Sequence, residues 1–141
     1  MNVEARLQAL EDREAIRDLL MEYRRALDEK DFDAYADLFG EDGEFVTDGF
    51  TVRGRSQILT MLADLQATGA LTVNAGDDRH LVTNVEIEVD GDRATARSTW
   101  VYVTRESDEP NLAMVGHYED QLRRTPAGWR FARRAAPRDI P

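Results

Sequence analysis

Arg79–Trp100, RHLVTNVEIEVDGDRATARSTW, decides the fold class. Leu81 to Val89 alternates as a half-buried strand does, and Asp90–Gly91 is a tight-turn pair that sends the chain back through Ala94 to Val103. The same grammar continues to the C-terminus. Glu106 to Asn111 is a polar loop containing Pro110, and Leu112 to Arg124 reads as the next strand. Thr125–Gly128 is a turn and Trp129 to Ala136 the last strand. Everything after about Leu71 is expected to be strand.

Upstream, the period changes to that of a helix. Ile16, Leu19, Leu20, Tyr23 and Leu27 recur at spacings of three and four and share one face. Asp12 can cap the main part of this helix, with helical turns beginning as early as Val3, and the stretch ends near Glu29–Lys30. Asp31 caps a second, shorter helix through DFDAYADLF, with Gly40 as its C-terminal stop. Glu44 to Val52 reads as two short strands around Asp48–Gly49. A third helix follows with Ser56 as its cap and Ile58, Leu59, Leu62 and Leu65 on its face. Helices first and an antiparallel meander after them signal α+β rather than alternating α/β. A twisted sheet of long strands can curl over the helices and hold a pocket on its concave side.

The chain has 141 residues, which fits a single domain over 1–141. Apolar residues at 42% and charged residues at 33% give a globular composition, too apolar for disorder. A net charge of −10 argues against nucleic-acid partners. With no cysteine, disulfides, thiolate metal sites and cysteine nucleophiles are excluded. The opening MNVEARLQALEDRE lacks the apolar core of a signal peptide, and no apolar run is long enough to span a membrane. A cytoplasmic protein with no membrane partner is expected. No metal-ligand spacing, Gly-rich phosphate loop or GxSxG elbow is present, so no metal and no cofactor are expected.

The chemistry must therefore come from ordinary side chains. His80 and His117 are the only histidines. By alternation His80, Val82 and Asn84 share a face that continues to Glu86, which is either a solvent side or a polar-lined cavity. Asp28 stands in the last turn of the first helix, where the dipole disfavours a carboxylate by roughly 0.3–1 kcal/mol. It is either a solvated loop acid or a carboxylate at a cavity mouth. Tyr23 on the buried face needs a partner for its hydroxyl, in the core or in a pocket. Trp100, Tyr102 and Tyr118 are strand aromatics that can line the same space. The tail carries six arginines, among them Arg134 and Arg138; most are expected to pair with the excess acid at the surface.

Three stretches carry a family resemblance: Glu11–Phe45, EDREAIRDLLMEYRRALDEKDFDAYADLFGEDGEF; Arg79–Trp100; and Gly116–Arg134, GHYEDQLRRTPAGWRFARR. They resemble the SnoaL-like branch of the nuclear transport factor 2-like superfamily over nearly the whole chain. The resemblance implies an α+β barrel or cone, with three helices cupped by a strongly curved, mostly antiparallel sheet around a pocket. That superfamily includes scytalone dehydratase, bile acid 7α-dehydratase, the hexachlorocyclohexane dehydrochlorinase, ketosteroid isomerase and polyketide cyclases. It also includes non-catalytic transport factors and dioxygenase small subunits, so fold alone does not name an activity.

The dehydratase and dehydrochlorinase members use a histidine–aspartate pair. Tyr23 and Asp28 match the tyrosine and the aspartate, and His80 opens the HxxTN strand that carries the histidine. The resemblance implies a cofactor-independent lyase or isomerase acting on a hydrophobic small molecule, with His80 as general base, Asp28 orienting it and Tyr23 as donor. Trp100, Tyr102, Tyr118 and Asn84 are the substrate-contact candidates. Arg138, then Arg134, is the candidate for stabilising developing negative charge. The alternatives are a polyketide cyclase, in which the carboxylate acts without the histidine, and a non-catalytic binding or assembly module. His117 is opposite in parity to Tyr118 and Asp120 and is assigned a structural or interface role. A homodimer or homotrimer built on the convex sheet face is the expected assembly.

Overall fold

The computed structural model describes residues Met1–Pro141. Helix α1 (Val3–Asp28) and the one-turn-and-a-half α2 (Phe32–Asp37) precede a hairpin of β1 (Phe39–Thr47) and β2 (Phe50–Arg53). Helix α3 (Gly54–Thr68) leads into the meander β3 (Asp78–Asp90), β4 (Arg93–Glu106), β5 (Glu109–Thr125) and β6 (Gly128–Ala135), with a short β7 (Arg138–Ile140) at the end. The sheet order is β2-β1-β6-β5-β4-β3, and β7 adds to β5 beyond the end of β6. Only β1 and β6 run parallel.

The sheet is curved but open: β2 and β3 are its two edges, so the expected barrel does not close. Helix α1 packs on β3 and α3 packs on β1 and β2, which places the helices across the concave side. The core is their shared contact. Ile16, Leu20 and Tyr23 of α1 meet Tyr35 of α2, Ile58 and Leu62 of α3, and Leu122 and Phe131 of the sheet, all essentially inaccessible. Full burial of side chains this size contributes roughly 1.5–3 kcal/mol each. No helix is long and apolar enough to cross a membrane.

Several local expectations are corrected. Asp12 does not cap α1: Asn2 does, its side chain accepting from the Ala5 N–H at 2.8 Å. Asp12 is instead buried in mid-helix, where Arg124 and the Trp129 indole N–H hold it. Gly40 does not stop α2, because strand pairing takes over first; Leu38 closes the helix and Phe39 already pairs with Phe131. Ser56 does not cap α3. Gly54, at φ +80°, takes the left-handed turn that lets strand pass directly into helix, and Gln57 accepts the Arg53 N–H. The segment from Leu71 to Asp77 is turn and bend rather than strand, although Leu71 itself is buried.

The correction that matters most for the site lies in β3. Pairing with β4 shifts between Thr83 and Glu86, and Asn84 has φ +56°. An extra residue is inserted there, a β-bulge, and it reverses the parity of the strand. His80 and Val82 face inward before it, whereas Val85, Ile87 and Val89 pack against the core after it. Glu86 and its neighbour Glu88 are thereby turned out to solvent.

Candidate active site

Asp28 is the last residue of α1 and is almost fully buried, at 7% exposure. Three groups converge on its carboxylate. The His80 backbone N–H lies 3.1 Å from both oxygens, His80 Nδ1 lies 2.7 Å from Oδ1, and Arg24 donates to Oδ2 at 3.2 Å. These donors offset the unfavourable end of the helix dipole. With Nδ1 committed to the carboxylate, Nε2 is the ring nitrogen left for the cavity. The ring also stacks on Tyr102, its pairing partner across β3 and β4, with centroids 4.6 Å apart.

His80 lines a cavity of about 320 Å³ whose walls are mainly apolar. That size suits a small molecule of one to a few rings. Tyr23, Trp100, Tyr102 and Tyr118 all line it. The Trp100 indole N–H is already engaged by the His117 carbonyl at 3.1 Å, so Trp100 offers its ring face only. Gly116 sits behind it. A side chain there would collide with the Trp100 ring and the Pro137 carbonyl, so this close approach requires glycine.

The Tyr23 and Tyr35 hydroxyls are 2.9 Å apart. Burial pushes both pKa values up, so both remain protonated. One proton closes the bond between them and the other is free for a ligand oxygen. Tyr35 was not among the expected site residues, although a tyrosine on the buried face of α2 signals a hydroxyl that needs a partner.

Arg138 reaches the cavity rim, half exposed, with Asp48 beside it. Arg134 does not line the cavity. It is wholly buried in an ion pair with Asp120, at 2.8 and 3.2 Å, and its guanidinium lies 3.5 Å from the Tyr118 ring centroid and 4.1 Å from that of Tyr23. The charged end belongs to the core because β6 turns this position inward beneath the tyrosines. Asn84 does not line the cavity either: the bulge carries it to the surface, where it contacts Thr99. No grouping of three or more acidic or histidine side chains is arranged to hold a metal ion.

His117 faces outward, with Nδ1 2.8 Å from Asp139 and Nε2 3.5 Å from Glu119, and its N–H donates to the Pro137 carbonyl. It therefore ties β7, which carries Arg138, to β5. The Asp139 carboxylate raises its pKa above the ordinary histidine value. A raised pKa means the charged form is favoured in the fold. The tie is fully present below about pH 6.5 and is lost as pH rises through the higher folded value. Amide protection factors of the β5–β7 pairing, at Gly116 and Ile140, are expected to fall between pH 6 and pH 9, and His117→Gln should remove that dependence. Protection that is flat with pH in the wild type would contradict this.

Comparison with known proteins agrees with this architecture. No protein with a curated functional description matches the chain. Among solved structures, an NTF2-like protein with a cystatin-like fold from Novosphingobium aromaticivorans is 38% identical, covering 97% of this chain and 88% of that one, with a TM-score of 0.87. A variant of Rv3472, a protein of unknown function from Mycobacterium tuberculosis, is 32% identical over 96% of this chain and 74% of that one, with a TM-score of 0.79. ActVI-ORFA from Streptomyces coelicolor, at 24% identity, 88% and 95% coverage and a TM-score of 0.76, shares the fold. The SnoaL-like domain model matches residues 8–135, nearly the full length, and the chain belongs to the SnoaL-like family.

Proposed function

We propose that the protein is a cofactor-independent lyase or isomerase that removes a proton from an acidified carbon of a hydrophobic small molecule. The observation that carries this reading is the 2.7 Å contact between His80 Nδ1 and Asp28 in the wall of an apolar cavity. Asp28 holds the Nδ1–H tautomer and stabilises the imidazolium that forms. Nε2 takes the proton from carbon. The electron pair moves into an adjacent carbonyl, and then either expels a β-leaving group or is reprotonated at another carbon. The free hydroxyl proton of the Tyr23–Tyr35 pair is placed to stabilise the oxygen that gains charge. Arg138 at the rim suits a polar or anionic end of the substrate. Asp28 already accepts from the His80 ring and backbone, which favours the histidine over the carboxylate as base and speaks against the cyclase alternative.

The test is a panel of hydrophobic cyclic ketones and β-hydroxyketones in D₂O, followed by NMR. Wild type is expected to exchange or dehydrate at least one of them roughly 10²–10⁴-fold faster than His80→Gln does. Equal rates across the panel would remove the reading. Assembly through the outer sheet face is part of the same proposal. Leu81, Val101, Val115 and Ile140 form one register row there across β3, β4, β5 and β7, with Leu81 and Ile140 well exposed. Sedimentation equilibrium returning the 16.0 kDa monomer mass would set that part aside.

A further inference from the structure

Helix α1 ends in a manner that costs stability. The Asp31 N–H bonds to the Ala26 carbonyl and the Lys30 N–H to that of Leu27, the Schellman pattern. The residue that must then be left-handed is Lys30, at φ +62°. Glycine is usual at this position, and a residue with a Cβ is strained in that conformation. A lysine there is explained by its side chain rather than by its backbone.

That side chain is nearly buried, at 9% exposure, and its ammonium lies 2.8 and 3.0 Å from the two oxygens of Asp78, whose side chain is wholly inaccessible. Asp78 opens β3 two residues before His80. It also accepts the Tyr102 hydroxyl at 2.6 Å. Burial works to raise the Asp78 pKa, but the Lys30 and Tyr102 donors outweigh it and hold the carboxyl below its ordinary value. Asp78 is therefore ionised at neutral pH, a costly state in a site shielded from water unless a cation stands beside it.

Two parallel ties thus join the end of α1 to the start of β3. Asp28 holds His80, and Lys30, two residues beyond Asp28, holds Asp78, two residues before His80. The second tie also reaches the first through Tyr102. Asp78 fixes the Tyr102 hydroxyl, which turns the tyrosine's ring face onto the His80 ring at 4.6 Å.

Resting on the general-base reading above, we infer that Lys30 and Asp78 are positioning residues, which act through Tyr102 to hold the His80 ring in register with Asp28. Sequence periodicity gives no hint of this, since it places Lys30 only at a helix end and says nothing of a partner for Asp78.

The test uses the neutral pair Lys30→Met/Asp78→Asn, which leaves no unpaired buried charge, together with Lys30→Arg. The readouts are the ¹⁵N ring shifts and Nδ1–H exchange of His80, and turnover of any substrate found in the panel. In the neutral pair, His80 Nδ1–H exchange is expected to rise about tenfold as the clamp opens more often. The kcat should fall about tenfold with KM unchanged, because geometry rather than binding is lost. Lys30→Arg, which keeps the charge, should recover most of both. A neutral pair with wild-type His80 signals and wild-type kcat overturns the inference. Asp28→Asn serves as the control. If it alters the ring signals and the neutral pair does not, this inference fails and the general-base reading stands. If neither alters them, the Asp28–His80 contact itself is absent in solution.

Discussion

Asp28→Asn is expected to lower turnover by roughly 10³–10⁴-fold while leaving the fold intact. The reason is the number of protons at this carboxylate rather than its charge alone. In the wild type the two oxygens accept from the His80 backbone N–H and from Nδ1–H. Arg24 is always a donor and binds Oδ2, and the backbone N–H lies equally near both oxygens, so an asparagine turns its carbonyl oxygen to the Oδ2 position. The amide NH₂ then faces Nδ1, which must accept. The proton moves to Nε2, the nitrogen that faces the cavity, and the base is lost because it already carries a proton. The ¹⁵N ring spectrum reports this directly as an exchange of the two nitrogen signals. The melting temperature should change by only a few degrees, since the size of the side chain is kept. An Asp28→Asn protein that retains the Nδ1–H tautomer, or that retains turnover, would show that the carboxylate does not set the protonation of the ring.

The two halves of this pair were legible in the sequence for different reasons. Asp28 stood out because it is the wrong charge for a helix C-terminus, and His80 because it is one of only two histidines. Element order was legible because helical and strand periods do not overlap: Ile16–Leu27 and Leu81–Val89 each fit one template and not the other. What periodicity cannot carry is a change of phase. The bulge at Asn84 inserts a residue, so a face read as His80, Val82, Asn84, Glu86 is in fact two faces. The histidine half is in the cavity and the acidic half in solvent. Asparagine tolerates the left-handed conformation better than most residues, and that was the one local cue. Buried charge was illegible for another reason. Asp12, Asp78, Asp120 and Arg134 look like surface residues until their partners, more than ten residues away in the chain, are known.

Arg134 is the extreme case of buried charge, and its removal should produce the largest loss of stability. Arg134→Met is expected to destabilise the protein by about 3–5 kcal/mol, because it strands Asp120 in a site that is 3% exposed. For a chain of 141 residues that corresponds to a fall in melting temperature of roughly 10–15 °C. The neutral pair Arg134→Met/Asp120→Leu should recover most of the loss. Two facts support this. Desolvation of the ions consumes much of the attraction in a buried pair. In addition, Nη1 of Arg134 is buried without a hydrogen-bond partner, a penalty that methionine does not carry. The pH dependence provides a separate check. Burial raises the Asp120 pKa even with the arginine present. An acid whose pKa is raised in the fold is released more readily by the unfolded chain, so folded stability falls as pH rises above about 3.8. Without Arg134 that slope steepens, and Arg134→Met should lose more stability at pH 7 than at pH 4. A single variant as stable as wild type would mean that Asp120 is not stranded by the change, and a neutral pair no better than the single change would mean that the guanidinium acts by packing between Tyr23 and Tyr118 rather than by charge. The distinction bears on function, because Tyr23 lines the cavity directly above it. If the neutral pair restores stability but not turnover, the cation contributes to the donor strength of the Tyr23 hydroxyl, a contribution that stability measurements alone do not detect.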